Sequence, residues 1–218
     1  MDRCLHLQGA QVLELGCGRA LKTRQIAERY RPAKLIATEV DRVQHEKNVL
    51  IDDLPNVRFV YGGAEEIDLP DSAIDVVIML KSLHHVPVDQ MDRALGEIHR
   101  VLATGAIAYI SEPVYAGEFN EIMRLFHDER EVREAAFAAV CRAVNSGRFS
   151  CDEQIFFNAP TYYENFADFE ERILKVTHTQ HTVSDALHRR IETAFARHMG
   201  ADGARFATPT RVDLLRKT

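Results

Sequence analysis

The sequence predicts a three-layer α/β fold with a mostly parallel sheet of seven strands, an antiparallel last strand and a helical insertion after the fifth strand. Strand-like and helix-like segments alternate from residue 11 to residue 111, and a glycine turn follows the first apolar strand. The 218 residues, 46% of them hydrophobic, can bury one large core. We therefore expect a single domain over residues 1–218, with the helical insertion at residues 114–160.

The composition excludes several classes of partner. A formal net charge of −6 argues against a protein that binds a phosphate backbone, so we expect no nucleic acid. The four cysteines lack paired spacing, which is typical of reduced thiols in the cytoplasm. No apolar run is long enough to span a bilayer, and no signal-peptide core follows the first residues. These features predict a cytoplasmic protein without a membrane partner.

The first strand and the turn after it predict a ligand site. The segment Val12–Arg19 reads as an apolar strand that stops at Gly16-Cys17-Gly18, and a helix is predicted over Ala20–Tyr30. Ligands of open α/β sheets bind at such junctions, where glycines admit close approach and the helix offers free N–H groups. Glu14 interrupts the apolar run, and a buried carboxylate is costly unless it faces a polar or cationic group. We therefore predict that Glu14 serves the ligand.

The next strands add a second acid. A strand over Lys34–Val40 ends on Glu39, about twenty residues past the turn, where a carboxylate can accept both hydroxyl hydrogens of a ribose. The alternative is that Glu39 caps a helix or lies in solvent at the strand end. A helix over Arg42–Asp53 and a third strand over Val57–Tyr61 follow.

Two further strand ends carry candidate catalytic groups. The segment Ser72–Leu80 is apolar on both faces, as expected for a central parallel strand, and leads into Lys81 and the His84-His85 pair. A histidine there suits general-base chemistry near neutral pH, although packing is the alternative for both rings. After an amphipathic helix over residues 89–101, a strand at 106–110 brings Glu112 to the same edge. Glu112 is either a substrate-facing carboxylate or a solvated loop acid.

Four motifs together resemble those of the class I S-adenosylmethionine-dependent methyltransferases. Glu14-x-Gly16-x-Gly18 resembles the family's acid-x-Gly-x-Gly loop, and Ile74-Asp75-Val76-Val77 resembles its Phe-Asp-Val-Val strand. The turn over residues 62–70 is similar to Gly-Asp-Ala-Glu-x-Leu-Pro, and residues 100–106 are similar to Arg-Val-Leu-Lys-Pro-Gly-Gly. The resemblance implies a Rossmann-like fold, S-adenosyl-L-methionine as cofactor and methyl transfer to a small-molecule acceptor.

The resemblance also implies roles for single residues. Glu39 takes the ribose, Val40 lies against the adenine, and Leu80 and Lys81 border the methionine end. Gly63 stands where the family has an aspartate that contacts adenine, so adenine recognition rests on the Ala64 amide, on Glu65 or on water. His84 and Glu112 are the candidate catalytic residues. The expected cofactor-binding residues are Glu14, Gly16, Cys17, Gly18, Glu39, Val40, Gly63, Ala64, Glu65, Leu80 and Lys81.

The rest of the chain predicts a lid and a closing strand. Residues 118–145 read as helical with a break near Asp128, and three roles stay open for their aromatic side chains: an acceptor pocket, core packing or a homodimer interface. A helix over residues 161–174, a strand over 175–181, a helix over 184–198 and an antiparallel edge strand over 205–216 follow. His178 and His181 fall on opposite faces of that strand, so we expect no metal site. The aromatic and polar candidates for the pocket are Tyr115, Phe119, Met123, Phe126, His127 and Phe149.

Two other functions fit parts of the pattern. A non-catalytic subunit that binds S-adenosylmethionine would keep the glycine turn and use the insertion as an interface. A nicotinamide-dependent oxidoreductase would share the sheet, but its turn requires a third glycine where Leu21 stands.

Overall fold

The computed structural model describes residues 1, 3–175 and 183–218. Its strands are β1 (Gln11–Leu15), β2 (Lys34–Glu39), β3 (Val57–Tyr61), β4 (Ile74–Leu80), β5 (Leu102–Pro113), β6 (Phe149–Tyr163), β7 (Met199–Gly200) and β8 (Gly203–Lys217). Its α-helices are α1 (Leu21–Tyr30), α2 (Arg42–Asn48), α3 (Met91–Val101), α4 (Glu118–Met123), α5 (Arg130–Asn145), α6 (Phe166–Phe169) and α7 (Asp185–Ala196).

The sheet has the predicted mixed architecture. Its strand order is β3-β2-β1-β4-β5-β8-β6, with β7 paired to β8 in antiparallel orientation. Strands β1 to β5 pair in parallel, so their carboxyl ends lie at one edge. After β1 the chain adds β2 and β3 on one side of that strand, and it then crosses over to add β4 and β5 on the other side. This is the topological switch point at which open α/β sheets bind their ligands.

The last strand differs from the prediction. We expected it at the edge, but β8 lies between β5 and β6, and β6 is the terminal strand of the sheet. The burial of β8 explains this position, because its segment Val212–Leu215 is buried and such a segment belongs inside a sheet.

Contacts divide the described chain into two compact units. The first comprises residues 1–112, 135–155 and 212–218, and the second comprises residues 113–134 and 156–211. In the first unit, helix α3 buries an apolar stripe in the same hydrophobic cluster as Ala136, Ala139 and Val140 of α5. The second unit is built on aromatic packing. Its fully buried members include Tyr163, Phe169, Phe195 and Phe206.

The segment predicted as a helical insertion contains two helices followed by a strand. Helices α4 and α5 are separated near Asp128, as expected. The helical segment ends at Asn145, as expected, but the rest of the insertion is not helical, because residues 149–163 form β6. The residues of β6 are mostly exposed, so the strand lacks the alternation of apolar and polar side chains that identifies a strand.

Three of the aromatic side chains for which pocket, packing and interface roles were open serve packing. Phe149 lies in the main core of the first unit, whereas Phe119 and Phe126 pack against the aromatic core of the second. The predicted helix over residues 161–174 begins only at 166, after β6 ends. Lys175 lies in a turn, and the rest of the strand predicted over 175–181, with His178 and His181, falls outside the described residues.

None of the helices in the described part of the chain combines the length and the apolar character needed to cross a membrane.

Candidate functional site

The glycine turn lies at the carboxyl end of β1 and depends on left-handed backbone. Gly16 has φ +75° and Gly18 has φ +52°, conformations that favour glycine. Ala20, directly before α1, is also left-handed at φ 56° and provides no side-chain cap. The turn therefore exposes main chain where a bulkier sequence would expose side chains.

Glu39, at the end of β2, is bound to this turn. Its Oε2 accepts a hydrogen bond from the Gly18 N–H at 2.7 Å, and its Oε1 accepts from the N–H groups of Val40 and Asp41 at 2.9 Å. The side chain is buried, so it is not the solvated strand end of the alternative hypothesis. The helix cap is instead Asp41, whose carboxylate accepts from Val43 and Gln44. The structure thus brings the predicted acid and the predicted turn together.

The other side of Gly18 is held by Asn48, a residue that the sequence analysis missed. Its Nδ2 donates to the Gly18 carbonyl at 2.8 Å and lies 3.4 Å from the Cys17 sulfur. Its Oδ1 accepts from Gln44 one turn earlier in α2. Both polar groups of the Gly18 backbone are therefore fixed by side chains from β2 and α2. Cys17 itself is buried, and burial raises the pKa of its thiol to about 12, so the sulfur is an unreactive packing group.

Glu14 is buried beside the turn, with 2% of its surface exposed. Its Oε2 accepts a hydrogen bond from the Thr23 hydroxyl of α1 at 2.7 Å. Burial raises the pKa of this carboxyl to about 7, and the Thr23 hydrogen bond and the charge of Lys22 oppose that rise. A cationic ligand group nearby would favour the ionised form, which is the role that the sequence predicts.

Ser82 connects the glycine turn to the next strand ends. A Cβ atom added to Gly16 would lie 2.7 Å from the Ser82 Cβ, so only glycine fits at this position. The Ser82 hydroxyl donates to the Leu15 carbonyl at 2.8 Å, and its N–H donates to Oε1 of Glu112 at 3.1 Å. No sequence pattern identifies Ser82, because its role depends on the close approach of two loops that are distant in sequence.

Glu112 and His84 form a buried pair. Oε1 of Glu112 also accepts the Leu83 N–H at 2.8 Å, and Oε2 contacts Nδ1 of His84. Glu112 is therefore not a solvated loop acid. A carboxylate at Nδ1 favours the tautomer with hydrogen on that nitrogen, and Nε2 then carries the lone pair that accepts a proton. His85 is exposed, and its ring lies 4.1 Å from that of His84.

In the segment after β3, the carboxylate of Glu65 lies against Gly63. A Cβ atom at Gly63 would overlap the carboxylate of Glu65, which folds over this glycine. Val40 is 58% exposed at the end of β2, as an apolar wall for a ligand requires, while Ala64 is buried in the core. A carboxylate therefore lies against residue 63 although that residue has no side chain.

Leu80 and Lys81 end β4 at the same edge. Leu80 is partly buried, and Lys81 is exposed with a left-handed φ of 57°. The Lys81 N–H donates to the Ser111 carbonyl at 2.7 Å, which fixes the turn that leads to Ser82.

The acids at this edge make it complementary to a cation. Glu14, Glu39 and Glu112 come from the carboxyl ends of β1, β2 and β5, and all three are buried. Buried carboxylates at one edge of a sheet favour a positively charged ligand. The glycine backbone beside them suits a ligand that must approach the main chain closely.

Comparison with known proteins gives a consistent result. Residues 12–105 match the sequence model of a methyltransferase domain family. The phthiotriol/phenolphthiotriol dimycocerosates methyltransferase 1 of Mycobacterium ulcerans is 30% identical over 101 residues, which are 46% of this chain and 36% of that protein. The fatty-acid O-methyltransferase of Mycolicibacterium smegmatis is 29% identical over 106 residues, 45% of this chain and 35% of that protein. This chain thus spans about a third of the length of these curated relatives.

A solved structure extends the likeness to the whole fold. The YcgJ protein of Bacillus subtilis superposes with a TM-score of 0.70 at 18% identity, covering 99% of this chain and 95% of that one. At this identity the likeness shows a shared fold. It includes the strands and helices beyond residue 105, which the family model does not reach.

Proposed function

Since residues 12–105 form a class I S-adenosylmethionine-dependent methyltransferase domain, we propose that this chain transfers the cofactor's methyl group to a small-molecule acceptor. The observation that carries this proposal is the glycine turn, whose Gly18 is held by Glu39 on one side and Asn48 on the other. We further propose that the two compact units act as one methyltransferase domain, because β6 and β8 each contribute residues to both.

The cofactor would be held by the residues at the carboxyl edge of the sheet. Glu39 is oriented to take the ribose hydroxyls, and Gly16, Cys17 and Gly18 would bring main chain against the nucleoside and the methionine. Glu14 would face a positive group. S-adenosylmethionine supplies a methyl group on a positively charged sulfur, so buried carboxylates favour its binding.

Adenine recognition is assigned to the segment after β3. Gly63 has no carboxylate of its own, but the Glu65 carboxylate, two residues downstream, lies against it. Glu65 would therefore supply the carboxylate that contacts the adenine. Val40 would cover one face of the ring, and the Ala64 amide would contact its edge. Leu80 and Lys81 would border the methionine portion.

We propose that the His84–Glu112 pair acts as the general base for the methyl acceptor. Glu112 orients the imidazole through Nδ1, so that Nε2 can remove a proton from an acceptor hydroxyl as the methyl group is transferred. The chain's main contribution to rate would be alignment of acceptor and methyl group, because the leaving group is already activated. An acceptor that carries no proton to lose would not need the pair.

The experiment is a cofactor-consumption assay. Release of S-adenosylhomocysteine would be followed against a panel of hydroxyl, carboxyl, amine and thiol compounds. Glu112→Gln keeps an oxygen for the Ser82 and Leu83 N–H groups but presents an amide N–H to His84, which forces the other tautomer. We expect the rate constant with a hydroxyl acceptor to fall by about 10²–10⁴-fold, while S-adenosylhomocysteine binding is unchanged.

The matched control is His6→Gln, a substitution at an exposed histidine of the same unit. It should leave the rate and its pH profile unchanged. Equal rates for Glu112→Gln and the unsubstituted chain on a hydroxyl acceptor would refute the role of the pair.

The second candidate is a non-catalytic subunit that binds the cofactor. The absence of a side chain at Gly63 favours this candidate, and the position of the Glu65 carboxylate against that glycine weakens the support. Tight S-adenosylhomocysteine binding with no turnover on any acceptor class would favour this candidate.

A further inference from the structure

The amino ends of β1, β2 and β3 border a cleft that has no part in the proposed methyl transfer. The cleft has a volume of about 340 Å³ and is open to solvent. It lies at the edge of the sheet opposite the glycine turn, because β2 and β3 begin at Lys34 and Val57. Its polar lining residues are Gln11, Lys34, Asn56 and Arg58, all in the first compact unit.

The two cations of this cleft lie on one face of the sheet. Arg58 pairs with Ile36 in the parallel register of β2 and β3, and Ile36 comes two residues after Lys34. Because alternate residues of a strand share a face, the Lys34 and Arg58 side chains leave the sheet on the same side. The strand spacing and the rise per residue place their Cα atoms about 8 Å apart. Both residues are exposed, and their long side chains can reach one group between them.

Neither cation has an acceptor in the part of the chain that the structure describes. Among residues 1, 3–175 and 183–218, no hydrogen bond or ion pair is present for the Lys34 ammonium or the Arg58 guanidinium. Asp75, on the other side of β1, accepts the Gln11 N–H at 2.8 Å instead. In a chain with a formal net charge of −6, two such cations in one cleft create a local positive potential. The cleft is therefore complementary to an anion.

We propose that this cleft binds the phosphate group of a small phosphomonoester. Such a group carries about −1.5 to −2 charge at neutral pH and has three oxygens that accept hydrogen bonds. The planar guanidinium of Arg58 can donate to two of these oxygens and the Lys34 ammonium to the third. A carboxylate would match only one of the two charges. Gln11, beside Lys34 in the register of β1 and β2, would contact the organic part of the ligand.

The test is an NMR titration of the isotope-labelled full chain with phenyl phosphate, followed through the backbone amide signals. Phenol, which has the same ring without the phosphate, is the neutral counterpart. We expect phenyl phosphate to shift the signals of residues around the cleft saturably, and phenol to leave them unchanged. Added salt should weaken the binding, because the cleft is open to solvent.

Substitutions of the two cations identify the site. Arg58→Gln and Lys34→Gln should each lower the affinity for phenyl phosphate at least about tenfold, because each removes one of the two charges. Arg58→Lys keeps the charge but loses the planar fork, so its affinity should also fall. The matched control is Arg93→Gln, which removes an exposed cation of α3 that does not line the cleft and should leave the affinity unchanged.

A second arm separates a small ligand from a lipid headgroup. Phosphatidylcholine vesicles that contain phosphatidic acid present a phosphomonoester at a membrane surface. Because we propose a small ligand, phenyl phosphate should bind without any vesicle. Binding to these vesicles without binding of phenyl phosphate would overturn the proposal.

Three further results would each overturn the site: no saturable shift with phenyl phosphate, full affinity in both Arg58→Gln and Lys34→Gln, or saturable shifts at the glycine turn and none at the cleft. Titration of the same variants with S-adenosylhomocysteine separates this outcome from the proposed function, since the site does not require methyl transfer. Absence of the phosphate site with normal S-adenosylhomocysteine binding refutes only the site. The reverse result refutes only the placement of the cofactor.

Discussion

Substitution of the two turn glycines by alanine should have unequal effects, because only one of them is crowded. In Gly16→Ala the new Cβ would lie 2.7 Å from the Ser82 Cβ at a φ of +75°. We expect about 1–2 kcal/mol of left-handed backbone strain and about 1–3 kcal/mol of overpacking. In Gly18→Ala the φ is +52° and no atom lies within 4 Å of the new Cβ, so only the strain applies.

The two effects are separable by calorimetry. At about 2–4 °C per kcal/mol for a chain of this size, Gly16→Ala should lower the unfolding temperature by about 4–20 °C and Gly18→Ala by about 2–8 °C. A double-mutant cycle with Ser82→Gly isolates the overlap, since the glycine removes the atoms that the new Cβ meets. The double variant should recover about 1–3 kcal/mol relative to the sum of the single effects.

The refuting results are specific. Equal destabilisation by the two alanines, or an additive cycle with Ser82→Gly, would mean that the turn does not approach Ser82 as closely as the structure shows. The structural link from the glycine turn through Ser82 to the His84–Glu112 pair would then be lost.

Three further predictions concern acidic residues. Glu39→Gln should weaken S-adenosylhomocysteine binding by about 10–100-fold, because a charged acceptor is lost. The control Glu46→Gln, at an exposed position, should bind with unchanged affinity. Equal affinities of the two variants by calorimetry would contradict this prediction. The Arg100 hydrogen bonds lower the pKa of Glu97 to about 2, so its contribution to stability is present above the unfolded value of 4.5 and is lost as the pH falls towards 2. Urea unfolding between these pH values should therefore be less pH-dependent in Glu97→Gln, and parallel curves would count against the pairing. Burial raises the pKa of Glu14 to about 7, so its contribution is full below 4.5 and is lost as the pH rises through 7. Glu14→Gln should consequently be more stable relative to the unsubstituted chain at pH 8 than at about pH 5, and the opposite order by thermal unfolding would show that Glu14 is not buried in this way.

Much of the first half of the fold could be predicted from the sequence, because its strands are buried on both faces. Strands β1, β2 and β4 are continuous apolar runs, and each ends near a residue with a recognisable chemical role, such as Gly16 or Glu39. Helix α3 was equally clear, since its apolar residues recur at helical spacing.

The second half was harder for a physical reason. Strand β6 is the terminal strand and is mostly exposed, so its sequence carries polar residues without a regular alternation. The sequence leaves three roles open for the aromatic residues of this half, and Phe149, Phe119 and Phe126 take the packing role in two separate cores. Aromatic side chains favour burial in either setting, and composition alone does not distinguish the two.

The site was predictable in its acids and glycines but not in its supports. Glu14, Glu39 and Glu112 stand out because each is an acid near the end of an apolar strand. Asn48 and Ser82 do not stand out, because they act through contacts between elements that are distant in sequence. The pairing of Glu112 with His84 likewise depends on the adjacency of β4 and β5.

The most direct test of the central claim is a crystal structure of this chain with S-adenosylhomocysteine. We expect the ribose hydroxyls to hydrogen-bond to the Glu39 carboxylate and the nucleoside to lie against Gly16–Gly18. A nucleoside bound elsewhere, with Glu39 still bonded only to its own main-chain neighbours, would contradict the account.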